Sequence, residues 1–494
     1  MITHLLSKST FVRGCQCHKS LYLNKYHREL KDDVSEMLQL VFDTGQNVGE
    51  LAQDLFPGGE YGTFPGEIPS YESVKRTNQL IDAGVEVIYE ATFLFDEVIV
   101  AMDILVKGKK GWEAYEVKSS TSVSETYIKD ASIQSYVIKG SGFSLNDISI
   151  IHINKQYVKR GAIDVNQLFI IESVYDSAMQ NQDWVRINIK EFKKVLKQDQ
   201  IPDIQIGPHC SDPYECDFTG HCWQHVPDNS VFSYKGLTGK RKWELFDNGY
   251  ITIDDIPADQ SLNNTEQLVV DCEKNNVEYI DKDAIRSFVN QLKYPLYYLD
   301  FETLFMVTIP IYDNSRPFQQ IPFQYSLHIQ QVPGEKVEHK EFLAEASRET
   351  DPRTEFINKL IADIGNTGSI VTYNASFEMG KLKDIKEAFP HYSNSIDAIN
   401  ARVVDQMAPF RARHFYKPEM KGSYSIKKVL PALVPELSYE GMPIADGGAA
   451  SAAFLKLLDE TDQDVITKTR KALLEYCELD TWAMVKIQDV LNKT

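Results

Sequence analysis

Leu296-Tyr297-Tyr298-Leu299-Asp300-Phe301-Glu302-Thr303 is the stretch that decides the fold of the C-terminal part of this chain. Its aromatic and aliphatic residues predict a buried strand. Because side chains alternate between the two faces of a strand, Asp300 and Glu302 share one face. Two carboxylates on an apolar strand repel each other, so a metal ion or an arginine should accompany them. The stretch opens an α/β pattern that continues to the end of the chain.

Two downstream segments supply further acidic groups. Tyr373-Asn374-Ala375-Ser376-Phe377-Glu378 ends a predicted strand and opens a helix with Glu378 in its first turn. In the predicted final helix, from about Asp464 to Leu491, a spacing of four places Tyr476 and Asp480 one turn apart on the same face. Each motif alone is weak, because ordinary surface strands and helices also carry such acids. They form a site only if the fold brings them together.

Taken in order, Asp-x-Glu, Asn-Ala-x-Phe-acid and Tyr-x-x-x-Asp resemble the motifs of the DEDD, or DnaQ-like, exonucleases of the tyrosine subclass. The resemblance implies a ribonuclease-H-like fold, removal of nucleotides from 3′ ends, and a site for two Mg²⁺ or Mn²⁺ ions. It also implies that Tyr476 positions the attacking water. The metal ligands that it assigns are Asp300, Glu302, Glu378 and Asp480.

Glu378 departs from the family pattern, in which the second motif normally ends in aspartate. Its longer side chain still offers carboxylate oxygens, but it moves them by about one methylene. Asp405, in Val403-Val404-Asp405-Gln406, is a reserve candidate for the missing aspartate. The alternative interpretation of all these acids is ordinary surface charge.

The N-terminal half contains a β-rich stretch from about Val85 to Ser119, broken by a turn at 108–111. Within it, strand alternation puts Glu116 and Lys118 on one face, and Asp103 lies on the partner strand across the turn. A surface hairpin with a chance Glu-x-Lys ion pair would give the same pattern. The pattern alone leaves both interpretations open.

Asp103, Glu116 and Lys118 together resemble the PD-(D/E)XK nucleases of the RecB-like group. The resemblance implies that Asp103 and Glu116 bind Mg²⁺ or Mn²⁺ and that Lys118 stabilises developing charge or orients water. Gln134, on the helix that follows, matches a glutamine common in that group. Glu50 occupies the place of a further metal ligand, which is the loosest of these assignments.

Cysteines are concentrated at the two ends of the N-terminal half. Cys210, Cys216 and Cys222 are spaced more widely than the C-x2-C pairs usual for structural zinc, and Cys17 lies far upstream. This layout resembles the iron–sulfur RecB-like nucleases, which hold a [4Fe–4S] cluster, and the segment Cys17–Leu23 resembles their first-cysteine segment. Cys17 is therefore favoured over Cys15 as a ligand. Zinc is the alternative, because three histidines border the cluster.

The chain as a whole is similar to an uncharacterised bacterial family labelled domain of unknown function 2779. The similarity runs from the Cys17 segment through the segment 210–216 to the strand around Asp300. It implies an architecture more than a mechanism.

The bulk composition limits the remaining choices. A chain of 494 residues with 43% hydrophobic and 25% charged residues predicts two large globular domains, and no apolar run is long enough to cross a membrane. The start, MITHLLSKSTFVRG, has no secretory signal pattern, which predicts a cytoplasmic protein. A net charge of −19 argues against a protein that coats nucleic acid through a broad basic surface, but it is compatible with an acidic metal site.

The predicted fold class is α/β. We expect a restriction-endonuclease-like domain with an iron–sulfur cluster over 1–228, a helical connector over 229–293 and a ribonuclease-H-like domain over 294–494. The predicted activity is metal-dependent hydrolysis of DNA or RNA, on single strands or 3′ ends, in repair or anti-phage defence. The alternatives are one active domain whose neighbour only grips nucleic acid, and a non-catalytic scaffold subunit.

Overall fold

The computed structural model describes residues 5–34, 36–305 and 307–494. It is a mixed α/β structure that divides into two compact units. The first unit runs to His225 and includes Thr308–Pro310 and Arg316–Phe318, whereas the second begins at Val226 and contains the rest. Residues 1–4 of the start, which was interpreted above as lacking a secretory signal, lie outside the described range.

The first unit is built on a mixed sheet whose strand order is β2-β3-β4-β5-β6-β7, with β1 pairing in parallel with the start of β4. The central strands β3, β4 and β5 are antiparallel neighbours, whereas β5 and β6 run parallel. The predicted β-rich stretch and its turn at 108–111 are confirmed. The strands are β1 Leu6–Ser7, β2 Glu60–Tyr61, β3 Val87–Phe95, β4 Val98–Lys107, β5 Trp112–Lys118, β6 Leu145–Ile153 and β7 Phe169–Ser173.

Apolar side chains bury both faces of this sheet. Alternation along β3 and β5 sends Ile88 and Ala114 into one core, and Tyr89 and Tyr115 into another. The helices of this unit are α1 Lys8–Gln16, α2 His18–Tyr26, α3 Glu36–Ala52, α4 Tyr71–Asp82, α5 Glu125–Gly140, α6 Val165–Leu168, α7 Tyr175–Gln180, α8 Gln182–Val195 and α9 Thr219–Cys222.

The second unit is built on a sheet with strand order β11-β10-β9-β12-β13. Strand β9, which carries Asp300 and Glu302, is antiparallel to β10 and parallel to β12. A short two-stranded pairing joins β8 to β14. The strands are β8 Tyr279–Ile280, β9 Leu296–Leu304, β10 Ile321–Gln330, β11 Glu338–Leu343, β12 Ser369–Thr372, β13 Val403–Asp405 and β14 Phe415–Tyr416.

A long C-terminal helix lies against one face of β9. Leu296 and Tyr298 on that face pack with Met484 and Val485 of the helix, and Tyr297 on the other face enters the larger core. The helices of this unit are α10 Gly239–Asp247, α11 Asn264–Asn275, α12 Lys282–Val289, α13 Pro352–Asp363, α14 Ala375–Ala388, α15 Ser393–Asn400, α16 Ala408–Arg411, α17 Ile426–Leu433, α18 Gly447–Leu457 and α19 Gln463–Leu491.

The segment 229–293, expected to be a helical connector, is part of the second unit. Its helices are amphipathic: Leu245 of α10, Val269 of α11 and Ile285 of α12 are fully buried in the same core as Phe301 of β9. The exposed faces of these helices carry the polar residues that suggested a connector. Burial of the opposite faces makes the segment part of the unit's core.

No helix in the described part of the chain combines the length and the apolar character needed to span a bilayer.

Candidate metal centres

The second unit brings the predicted acids of the three motifs to one place. Asp300 and Glu302 continue the face of β9 that packs on α19, the helix that carries Asp480. Burial, followed by the charges of Asp480, Glu302 and Glu378, raises the pKa of Asp300 well above its usual range. Burial, followed by the charges of Asp480, Asp446 and Glu378, raises the pKa of Glu302. Asp480 and Glu378 therefore act on both carboxylates of β9.

Cys477 is a further member of this cluster that the sequence did not single out for chemistry. Its thiol and the carboxylates of Asp300 and Glu302 offer atoms that all lie within 4.8 Å of one another. The Cys477 Sγ lies 3.8 Å from Asp300 Oδ2. Burial and the neighbouring carboxylates raise the pKa of the thiol, which stays protonated beside the acids.

Tyr476 and Tyr439 place two phenols beside Asp480. Tyr439 donates a hydrogen bond of 2.6 Å to Asp480 Oδ1, and burial raises the pKa of Asp480 to about 6 despite this bond and a further one from Tyr476. Burial and the charges of Asp480 and Glu302 raise the pKa of Tyr476, so its hydroxyl keeps its proton. Tyr439 lies outside every motif, and no signal in the sequence marks it.

Lys427 places a positive charge beside this site. Its ammonium lies 5.3 Å from the centre of the Tyr476 ring and 5.6 Å from that of Tyr439. It donates to the carbonyl of Ala445 at 2.6 Å, and its charge lowers the pKa of Glu302 and Asp480 without cancelling the effect of burial. The lysine moderates the repulsion among the acids but does not neutralise them.

Glu378 lies in the first turn of α14, where the sequence places it. Its side chain is 2% exposed, and its Oε2 has no hydrogen-bond partner within the described residues. Burial, with a smaller contribution from the charge of Asp405, raises its pKa to about 8. A buried carboxylate oxygen without a partner is costly unless a proton or a cation satisfies it.

Asp405, the reserve candidate, is engaged elsewhere. Its Oδ1 accepts hydrogen bonds from the backbone amides of Asn374 at 3.1 Å and Met407 at 3.0 Å. Its Oδ2 lies 3.3 Å from the guanidinium of Arg411. Asp405 therefore fixes the turn that leads into α14, whereas Glu378 has an oxygen available.

These residues fit divalent cations. The donor set consists of carboxylate oxygens, which Mg²⁺ and Mn²⁺ prefer, and one of those oxygens is buried without a hydrogen-bond partner in the described part of the chain. The raised pKa values have the same cause, since burial and mutual repulsion oppose the charged forms. Bound cations would reverse this effect.

In the first unit, the predicted residues line a cavity of about 750 Å³. Glu50 of α3, Asp103 of β4, and Glu116 and Lys118 of β5 all contribute to its wall. Glu50 is exposed and accepts a hydrogen bond of 3.1 Å from Gln46. The structure therefore gathers these four residues around one cavity, although Glu50 lies at its exposed side.

Glu116 is the centre of a hydrogen-bond network. Its Oε1 accepts from Lys118 at 2.9 Å and from Lys8 at 2.5 Å, and its Oε2 accepts from Gln134 at 2.5 Å. Lys118 also donates to Asp130 at 2.6 Å. Lys8 and Asp130 were not expected. Lys8 is 108 positions from Glu116, in a segment without any catalytic motif, so no local signal could reveal it.

Asp103 and Glu90 complete the acidic side of the cavity. Asp103 Oδ2 accepts a hydrogen bond of 2.6 Å from the amide of Val117. Burial and the charge of Glu116 raise the pKa of Asp103 to about 6. Burial and the charge of Asp103 raise that of Glu90 to about 8. Glu90 has a positive φ of 50°, which a sequence pattern does not reveal.

The four cysteines chosen from the sequence line one small pocket. Cys17 at the start of α2 meets Cys210, Cys216 and Cys222, whereas Cys15 is exposed and lies outside that pocket. All four are free thiols that act electrostatically on one another. In the described part of the chain, no three of these sulfur atoms lie within 4.8 Å of one another. A single zinc ion, with Zn–S bonds of about 2.3 Å, would need them closer.

Comparisons with known proteins identify relatives but no activity. Residues 297–425 match the family model described as Domain of unknown function (DUF2779). The chain is also similar to a protein of Ureaplasma parvum serovar 3, "Uncharacterized protein UU173", with 29% identity over 287 residues. That similarity covers 53% of this chain and 40% of the relative. The family match covers all of β9 except its first residue and includes Glu378, but it ends before Tyr439 and α19.

Proposed function

We propose that this protein is a metal-dependent nuclease whose second unit removes nucleotides from the 3′ ends of DNA or RNA. The observation that carries the proposal is the convergence of Asp300, Glu302, Glu378 and Asp480 with the Tyr476 phenol, from three distant segments. The motif order supports a ribonuclease-H-like fold for the unit. The acids that the resemblance assigns as ligands are the same acids that burial and repulsion leave in need of cations.

The roles of the residues follow from their surroundings. When bound, two Mg²⁺ or Mn²⁺ ions supply an activated water and stabilise the charge on the leaving oxygen. Asp300, Glu302, Glu378 and Asp480 hold the ions. Tyr476 keeps its proton and can therefore donate a hydrogen bond that orients the water. Tyr439 fixes Asp480 through its 2.6 Å hydrogen bond.

We propose a second nuclease site, of restriction-endonuclease-like type, in the first unit. Asp103 and Glu116 would hold Mg²⁺ or Mn²⁺ there, with Glu50 as a peripheral ligand. Burial opposes the charge of Lys118, but Glu116 and Asp130 outweigh it and raise the pKa of its ammonium, which stays positive to stabilise charge on a phosphate. The 750 Å³ cavity has room for a nucleotide-sized substrate.

A second candidate function for the first unit is binding of nucleic acid without cleavage. The specific observation that favours it is the crowding of Glu116, since Lys8 and Lys118 both donate to Oε1 and Gln134 donates to Oε2. For a metal ion to bind through Oε1, Lys8 would have to leave. If the first unit is a metal-dependent nuclease, Lys8→Ala should increase its activity. If the unit only binds nucleic acid, Lys8→Ala should only weaken that binding.

The four cysteines support a [4Fe–4S] cluster that closes the first unit, with zinc as the alternative. The cluster joins the start of the unit, at Cys17, to its end, at 210–222, and so would stabilise the fold without taking part in hydrolysis. Protein purified anaerobically should be brown and contain iron and acid-labile sulfide. A colourless preparation that contains zinc would favour the alternative.

The experiment that tests the central proposal uses single strands labelled at the 5′ end, with a free or a blocked 3′ end, and Mn²⁺. The full chain should shorten the free strand stepwise from its 3′ end. Asp300→Asn should remove this activity while far-UV circular dichroism stays unchanged. Parallel DNA and RNA strands identify the substrate. If the parent protein trims neither DNA nor RNA strands that have a free 3′ end, the proposal is wrong and the scaffold alternative remains.

A further inference from the structure

Two histidines and a glutamate meet on the second unit, apart from the carboxylate cluster. His328 on β10, His339 on β11 and Glu478 on α19 offer donor atoms that all lie within 4.8 Å of one another. His328 is buried, His339 is half-buried and Glu478 is exposed. The two imidazole rings are stacked, with centroids 4.5 Å apart. The motifs assign no role to these residues, although Glu478 is one of the three positions between Tyr476 and Asp480.

The hydroxyls of Thr481 and Ser326 hold one nitrogen of each ring. The Thr481 hydroxyl lies 2.8 Å from Nδ1 of His328 and 2.6 Å from the Ser326 hydroxyl, and it can donate its own proton to the carbonyl of Glu478 at 3.1 Å. The Ser326 hydroxyl lies 2.9 Å from Nε2 of His339. In this arrangement both rings can donate to the hydroxyls through these nitrogens.

The neutral tautomers that donate to these hydroxyls leave one lone pair on each imidazole, at Nε2 of His328 and at Nδ1 of His339. His339 Nδ1 lies 3.7 Å from Glu478 Oε1, where two acceptors then face each other. The two rings and the carboxylate offer donor atoms within 4.8 Å of one another, and a single cation can satisfy all three.

We propose that His328 Nε2, His339 Nδ1 and the Glu478 carboxylate bind one divalent transition ion of the zinc class. Two imidazoles and a carboxylate are a donor set that zinc favours, and the exposure of Glu478 leaves room for water as a fourth ligand. The second nitrogen of each ring is held by Thr481 or Ser326, as outer hydrogen bonds orient metal-bound histidines. This site is independent of the proposed nuclease function.

An ion in this position would tie α19 to β10 and β11. Glu478 lies on α19 between Tyr476 and Asp480, and Ser326 on β10 is the register partner of Asp300. The ion would therefore fix the helix and the strand that position the carboxylate cluster. The ion would hold α19, β10 and β11 together and would not contact the reacting atoms.

The test uses Zn²⁺ and Cu²⁺ as probes on the full chain, with Mg²⁺ in excess to occupy the all-oxygen sites. The parent should bind one equivalent more Zn²⁺ than the double variant His339→Gln/Glu478→Gln, measured by competition with a chromophoric chelator. With Cu²⁺, electron paramagnetic resonance of the parent should show coupling to two imidazole nitrogens, and the double variant should lose it. His391→Gln, which changes an exposed histidine of the same unit, should behave like the parent.

Equal zinc stoichiometry and equal nitrogen coupling in parent and double variant would overturn the proposal. If the double variant fails to fold by circular dichroism, Thr481→Val provides a second test. Removal of the hydrogen bond that orients His328 should then weaken Zn²⁺ binding by about 10–100-fold, and an unchanged affinity would count against the site. Asp300→Asn should keep this ion while losing 3′-end trimming, so failure here is distinguishable from failure of the nuclease proposal.

Discussion

At the scale of single residues, the buried acids of the second unit make its stability depend on pH in the absence of divalent ions. Asp480 titrates at 3.8 in an unfolded chain and at about 6 when folded, and Glu378 at 4.5 and about 8. Between these values the unfolded chain has released the proton and the folded chain retains it. The free energy of unfolding therefore falls as pH rises from about 4 to about 8, by about 1.4 kcal/mol per pH unit for each such proton.

Thermal unfolding in a chelator should show this loss of stability across the pH range, and excess Mn²⁺ should abolish it because the ion replaces the protons. Glu378→Gln serves as the control, since an amide does not titrate. This variant should lack the part of the slope above pH 6 that Glu378 supplies. A melting temperature that rises with pH in the chelator would mean that the acids have other partners.

Tyr476 and Tyr439 both lie beside Asp480, but changing each to phenylalanine should affect a different property of the enzyme: kcat for Tyr476, and the Mn²⁺ requirement for Tyr439. Tyr476→Phe removes the hydroxyl proposed to orient water, so kcat for 3′-end trimming should fall by at least about 100-fold even at saturating Mn²⁺. Tyr439→Phe removes the 2.6 Å hydrogen bond to Asp480 Oδ1, so it should raise the Mn²⁺ concentration needed for half-maximal activity by about 10–100-fold. Saturating Mn²⁺ should restore most of the kcat of Tyr439→Phe. A loss of kcat in both variants that Mn²⁺ does not restore would contradict this division of roles.

At the scale of elements, the start of α14 depends on a left-handed residue. Asn374, the N-cap of this helix, has φ 86° and ψ 66°, and Ser376 donates a hydrogen bond of 2.8 Å to its side chain. Asn374→Ala should lower the free energy of unfolding by about 1–2 kcal/mol, because a Cβ without a local hydrogen bond is disfavoured there. Asn374→Gly should cost less. The change at Asn374 should also reduce trimming, since the same turn places Glu378.

Asn276, the left-handed C-cap of α11, provides the matched control within the same unit. Asn276→Ala should cost a similar amount of stability but leave trimming unchanged, because it lies at the end of a helix that carries none of the proposed ligands. Denaturation curves measure the loss of stability of Asn374→Ala and Asn276→Ala, and initial rates of 3′-end trimming measure their loss of activity. Equal losses of activity at the two positions would show that general destabilisation, and not the placement of Glu378, is responsible.

The elements that carry the sites could be predicted because their signals are local. The period of two along β9 places Asp300 beside Glu302, and the period of 3.6 places Tyr476 one turn from Asp480. The contact of Tyr439 with Asp480 spans 41 positions and depends on packing between separate elements. The same holds for the histidine pair, which becomes a site only through the register of β10 with β11 and the position of α19.

At the scale of the whole molecule, the division into two units was predictable, but the status of the segment 229–293 was not. Chain length and the switch from one strand-rich pattern to another predict two cores. Helices α10, α11 and α12 have many polar residues, which suggested a connector. Each also has an apolar face, but the sequence does not reveal which core that face packs against. The segment is therefore assigned to the second unit by its packing and not by its composition.

The cysteine set should control the stability of the first unit alone. Cys216→Ser removes one proposed ligand, so the cluster should be lost, the brown colour should disappear, and the thermal transition of the first unit should shift to lower temperature. Cys15→Ser is the control, since Cys15 is exposed and outside the pocket. Trimming from 3′ ends should survive Cys216→Ser, because the proposed carboxylate site belongs to the other unit. An identical colour in both variants would exclude Cys216 as a ligand.

The two proposed nuclease sites should be separable by mutation because each unit has its own core and its own acids. Lys118→Ala should abolish cleavage of strands with a blocked 3′ end and leave trimming of free 3′ ends intact, whereas Asp300→Asn should do the reverse. Lys194→Ala changes a lysine that is 72% exposed on the first unit, and it should preserve both activities. Product ladders from strands labelled at either end measure both reactions in one assay. If Lys118→Ala leaves every product unchanged while Asp300→Asn removes all of them, the first unit serves only to bind nucleic acid, as the three hydrogen bonds that occupy Glu116 would allow.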